Sequence, residues 1–235
     1  MRIQNLVHIV IGIVCMGLLS RAQAVSPPPD GGYPGANTAE GDSALFSLTT
    51  GDSNTAIGAD ALLSNTGGSS NTAVGVQALD SNTTGNSNTG IGVDALVSNS
   101  TGRENTAIGV DTLLANTTGN DNLACGFEAL FHNTSGIQNT ATGAFALIQN
   151  TTGEFNTANG AGALQANIGG NANTATGESA LSDNTSGDNN TANGINALFF
   201  NTTGGSNTAV GENALLNNRT GSTWRLARER LGATP

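Results

Sequence analysis

Lysine is absent from this chain, and cysteine, histidine, tryptophan and tyrosine are nearly so: two Cys, two His, one Trp and one Tyr in 235 residues. Each scarcity excludes something. Seven arginines against seventeen acidic residues leave a formal charge of −10, a surface that repels nucleic acid and anionic lipid, so neither is expected as a partner. The longest apolar run, Leu6 to Leu19, is short for a membrane span. Arg2 before it, Arg21 after it and the small-x-small triplet Ala22-Gln23-Ala24 read instead as a secretory signal peptide over residues 1–24. Its removal lowers the charge by two further units and leaves Cys125 alone, so the processed chain cannot form an internal disulfide. Cys125 reads as a small apolar filler. One histidine, His132, then remains, which provides no His-based metal cluster and no base for the many serines. His132 reads as a loop residue. The chain is therefore expected to be a secreted or cell-surface protein and not an enzyme, with no cofactor and no metal.

Proline is equally localised. Four of the five lie in residues 25–36, VSPPPDGGYPGA, a stiff linker that forms neither helix nor central strand. Beyond the linker the chain repeats itself. NTAIGADALLSNTGGSS, Asn54 to Ser70, recurs at Asn71 and every 17 residues to Asn207, with a looser copy at Asn37. Eleven copies run from Asn37 to Thr223 without insertion or deletion, the signature of a stacked-repeat architecture. We number positions within the copy from its Asn. Position 1 is Asn, 5 Gly, 9 Leu and 15 Gly in all copies; position 3 is Ala except Gly90, 8 is Ala except Thr112, and 12 is Asn except Leu48. Columns confined to Ala and Leu point inward. The two Gly columns suggest turns with positive φ, and the Asn columns suggest amide ladders from coil to coil.

Seventeen residues are too few for a helix pair and suit one coil of a parallel β-solenoid, an all-β fold. Positions 1 to 5 are the strand candidate; A-L-x-x-N is a second strand or a single helical turn. Stacking at about 4.8 Å gives a rod of roughly 50 Å. Positions 4 and 6 point opposite to Ala and Gly of positions 3 and 5. They carry an apolar stripe, Ile57, Val74, Val76, Ile91, Val93, Ile108, Val110 and Phe127, whose columns elsewhere hold Glu40, Asp42, Asn159, Glu178 and Asn193. A sealed core does not tolerate those residues, so the stripe is expected outside the single-chain core and is read as a subunit interface. The alternative is an interior that turns polar toward the C-terminus.

Other columns carry weaker signals. Asp60, Asp94, Asp111 and Glu128 share position 7, interrupted by Gln77 and Phe145, and read as a solvated acidic face rather than a calcium stripe. Asn82, Asn116, Asn150 and Asn201 begin N-x-[ST] acceptor sequences that follow automatically from the repeat. Thr38, Thr55, Thr72, Thr89 and Thr106 make a rank at position 2, broken by Leu123, which supports an alternative function in ice binding. Residues 224–235, WRLARERLGATP, leave the repeat and read as a basic tail or as a cap with Trp224 over the last coil.

The phrase carried by Asn54, Ala56, Gly58 and Ala61, and by every later copy, resembles the head repeats of trimeric autotransporter adhesins, the YadA-like family. The resemblance covers Asn37 to Thr223 and implies a parallel β-roll that trimerises and an adhesive role toward an extracellular ligand. Two departures stand out. The coil is longer here, with N-T-T-G as added loop, and no segment after Asn37 corresponds to the family's stalk or membrane barrel. The resulting expectation is a non-catalytic adhesin-like or spacer rod that associates as a homotrimer.

Overall fold

The computed structural model describes residues 34–222. The expected signal segment, residues 25–33 of the linker and the tail from 224 lie outside the described residues. The rest is one all-β solenoid: eleven three-residue strands, β1 (Thr38–Glu40), β2 (Thr55–Ile57) and onward to β11 (Thr208–Val210), form a single parallel sheet in chain order. The register is the repeat itself, Thr72 beside Thr89 and Val74 beside Ile91, so every strand meets the same residues 17 positions away. The strand is shorter than the expected positions 1 to 5 and occupies positions 2 to 4. Thr and a branched or polar residue flank a central Ala there, a pattern suited to a pleat with one buried face.

Gly of position 5 ends each strand. Its φ lies between +120° and +142° in all eleven copies, open to glycine alone. The segment after it is neither a second strand nor a helical turn. A-L-x-x-N belongs to a run of tight turns in which positions 5, 7 and 9 all have positive φ. The left-handed residues send N–H groups to neighbouring coils, Asp60 to the Asp42 carbonyl at 2.8 Å and Leu62 to the Ala78 carbonyl at 3.0 Å. Alternate residues close turns in their own coil, as the Leu63 N–H does on the Asp60 carbonyl at 3.3 Å. This alternation satisfies the backbone where helix and sheet would not. It also holds Leu62, Leu113 and the other core leucines at φ of 51–57°, costly for a non-glycine residue and tolerated because burial and hydrogen-bonded turns over-determine it.

The second glycine column corrects the sequence expectation. Gly85 and its equivalents at position 15 are not left-handed. They are glycine because a Cβ would overlap the Asn82 side-chain oxygen and the Gly102 carbonyl of the next coil. Backbones stack there too closely for any side chain.

The core is thin. Each coil contributes Ala, Ala and Leu from positions 3, 8 and 9, as with Ala56, Ala61 and Leu62, all fully buried. The asparagines of positions 1 and 12 complete it, also buried, and they form the expected ladders. Asn71 donates its backbone N–H and its Nδ2 to Asn54 Oδ1 at 3.0 and 3.1 Å. Asn82 Nδ2 donates to Asn65 Oδ1 at 2.9 Å. Both columns also donate to one acceptor, the Gly85 carbonyl, at 2.8 and 3.1 Å. Polar groups in so small a core are stable because they are paired from coil to coil, with Asn201 Oδ1 near the end of its ladder the exception among the described core amides. Thr112, standing where other copies have Ala, follows the rule by donating to the Gly126 carbonyl at 3.0 Å.

Position 7 offers a direct check on this backbone. Gln77 is exposed with φ of 57°. Gln77→Gly is expected to raise stability by about 0.5 kcal/mol in urea denaturation, and Gln77→Val to lower it by about 1–2 kcal/mol, because branched side chains fit left-handed backbone worst. Equal effects of the two would contradict the turn geometry.

Candidate interaction faces

The outer side of the sheet runs the length of the described rod, formed by positions 2 and 4 of each strand. Ile57, Ile91 and Ile108 from position 4 and Val76, Val93, Val110 and Phe127 from position 6 are 39–46 % exposed, and Val74 is half-buried. The eight stripe residues are thus brought together as adjoining columns outside the core. Phe127 extends the surface by meeting Phe145 of the next coil edge-on at 5.4 Å. Glu40 is the sole charged residue in the eleven strands. Charge is instead carried by the turns.

Cys125 corrects the reading of it as filler: it is exposed on this outer face, in the same column as Ile108 and Thr142. Above it the face changes character, with Thr142, Asn159, Thr176 and Asn193 in the position-4 column. Thr142 donates to Asn159 Oδ1 at 3.0 Å. Beside them the position-2 threonines form their rank from Thr38 to Thr208, interrupted by half-exposed Leu123. None of their hydroxyls is hydrogen-bonded among the described residues. Position-13 hydroxyls differ: Thr83 Oγ1 donates to the Ser100 carbonyl at 2.9 Å, and its equivalents are engaged likewise.

A second apolar column escaped the sequence reading. Position 10 holds Phe46, Leu63, Val97, Leu114, Phe131 and Ile148, half-buried apart from exposed Phe46, and it ends with Phe199 and Leu216. Its interruption by Asp80, Gln165 and Ser182 hid it. His132 is exposed in its loop, edge-on to Phe131 at 4.7 Å.

The position-7 carboxylates sit half-buried rather than fully solvated. Asp80 lies among them, and one carboxylate oxygen each of Asp80 and Asp94 is buried without a hydrogen-bond partner. Burial raises the Asp80 pKa, aided by repulsion from Asp60 and Asp94; burial and then Asp111 raise that of Asp94. Among the described residues no group of three or more His, Cys, Asp or Glu is placed to hold a metal ion. A carboxyl whose folded pKa is raised destabilises the fold when ionised, above that pKa. The penalty disappears as pH falls through the raised value toward the ordinary carboxylate range. Thermal stability is therefore expected to rise on mild acidification, and Asp80→Asn to raise the neutral-pH Tm and flatten that dependence. A Tm that falls steadily below neutrality in both proteins would contradict the assignment.

The acceptor sequences are closed by the fold: Asn82, Asn116, Asn150 and Asn201 are fully buried ladder residues. No helix among the described residues is long and apolar enough to cross a membrane. No family model, no curated protein and no solved structure matches the chain.

Proposed function

We propose that this protein is a non-catalytic structural rod, secreted or displayed at a cell surface, that acts as a spacer or adhesive element and associates as a homotrimer through the stripe of coils two to six. One observation carries the reading: a strongly acidic chain keeps its strands free of charge beyond Glu40 and lines coils two to six of the outer face with exposed Ile and Val. Acidic rods repel one another except where such a neutral strip lets them touch, and burial of the strip on association removes apolar surface from water. Three copies follow from the resemblance to trimeric adhesin heads. The leader-like first 24 residues support export.

Val76→Asp combined with Ile91→Asp tests this in sedimentation velocity. The expected result is dissociation to monomer with the β circular-dichroism signal kept. An unchanged oligomer, or a wild-type chain that is monomeric at working concentration, would sink the reading.

A second reading, ice binding, is favoured by the free hydroxyls of the position-2 rank. These are spaced at the regular rise of the sheet, and Glu40 is the sole charged residue within the strands that carry them. A freezing-point measurement decides it: hysteresis in wild type that is lost in Thr157→Asp with Thr174→Asp supports the reading, and its absence in wild type removes it.

A further inference from the structure

Coils ten and eleven, at the C-terminal end of the described rod, carry a cleft. It is open, holds about 230 Å³, and is lined by Asn196, Phe199, Phe200, Asn213 and Leu216 from coils ten and eleven. The Phe199 and Phe200 rings stand edge-on at 4.7 Å. Arg219 places its guanidinium 5.9 Å from the Phe200 ring centre. The two amides are neighbours in the position-7 column, with Asn196 Nδ2 3.4 Å from Asn213 Oδ1. That long bond leaves most of their donor and acceptor capacity unused.

Copy six repeats the aromatic pair as Phe131 and His132 with the same 4.7 Å, edge-on geometry. Its position-7 residues are Glu128 and Phe145, and its position-13 neighbour one coil on is Thr151. Among the described residues, apolar rings, two amides and a cation thus come together in coils ten and eleven and not in coil six. Arg219 is one of two arginines among the described residues, the other being Arg103. It makes no ion pair among those residues.

We infer that this cleft binds a carboxylated pyranose, a uronic acid unit of a glycan. The chemistry divides among the lining groups. The apolar face of a sugar ring packs on Phe199, Phe200 and Leu216. Ring hydroxyls, each a donor and an acceptor, pair with the Asn196 and Asn213 amides. The carboxylate meets the Arg219 guanidinium, whose planar donors match two carboxylate oxygens. Charge selects the ligand: in a chain this acidic, an anion is repelled over most of the surface, so an arginine with no ion pair among the described residues, beside an apolar cleft, marks where one is accepted. The inference gives the adhesive reading a ligand class, and rests on that reading only for its setting. The site is built within one chain, away from the coil-two-to-six stripe.

Calorimetric titration of the full chain with trigalacturonate, and with maltotriose as the neutral control, tests it. Trigalacturonate is expected to bind at least about tenfold more tightly, the effect of one charge-assisted pair. Arg219→Gln, at an exposed position, is expected to abolish that preference while leaving circular dichroism unchanged. Phe200→Ala is expected to weaken both sugars. No heat with trigalacturonate at millimolar concentration, equal affinity for the two sugars, or a preference that survives Arg219→Gln would each overturn the inference. Binding that persists in the dissociated Val76→Asp, Ile91→Asp protein supports a site within one chain; loss of binding on dissociation overturns that placement. Association without sugar binding overturns the cleft alone and leaves the rod standing.

Discussion

Gly102→Ala is expected to be strongly damaging for a single added methyl. Gly102 lies mid-array, and a Cβ on it would overlap Asn99 Oδ1 and the Gly119 carbonyl. Neither neighbour can yield cheaply. Asn99 Oδ1 accepts from Asn116 Nδ2 at 2.8 Å, and the Gly102 carbonyl accepts from Asn88 and Asn99 at 2.8 and 3.0 Å. Moving the chain aside would leave fully buried amides unpaired in both ladders, at about 1–3 kcal/mol each. The expected loss is on the order of 3–5 kcal/mol, with a broadened chemical-denaturation transition as the two halves of the rod uncouple. Gly67→Ala is the matched control. That glycine faces only Thr50 Oγ1 at 3.3 Å, so a loss within about 0.5 kcal/mol is expected. Equal losses at the two sites would mean that close stacking is not why position 15 is glycine.

Leu113→Ala should come next. Leu113 is fully buried and is the one large apolar side chain its coil gives the core. Neighbouring leucines and alanines are held by backbone hydrogen bonds above and below, so the cavity cannot collapse, and a loss of about 2–5 kcal/mol is expected. Gln149→Ala, at an exposed position in the same array, should change the denaturation midpoint little. The alanine columns reinforce the point from the other side: Ala107, equally buried, has no room to grow, so Ala107→Leu should overpack rather than repair.

Much of this was legible because the chain repeats itself. Columns that never vary within one molecule act as an internal comparison, and they identified the inward Ala and Leu, the asparagine ladders and the coil period. Two things were hidden. Invariant glycine has two physical causes, positive φ together with backbone contact at Gly92 and close contact without positive φ at Gly102, and composition alone does not separate them. The left-handed turns were partly announced by Asp, Asn, Ser and Gly at position 7. At position 9 they were masked by leucine, a residue no local preference would place there. The cleft was illegible for a different reason: it depends on residues from positions 7, 10, 11 and 13 meeting across two coils, and only the winding of the turns brings those together.

The uniform register also sets how the molecule comes into being. Both ladders and the sheet join residues 14 to 18 apart in sequence, from Asn54 Nδ2 on the Gly68 carbonyl to Gly58 N–H on the Glu40 carbonyl. No coil needs a distant part of the chain in place before it can form. Once two adjacent coils have met, each further coil adds to a ready template after closing one short loop, so growth is zipper-like and can begin at many points. The length of such a rod is a free parameter. Inserting or deleting one 17-residue unit would shift its reach by about 4.8 Å and leave every remaining contact as it was.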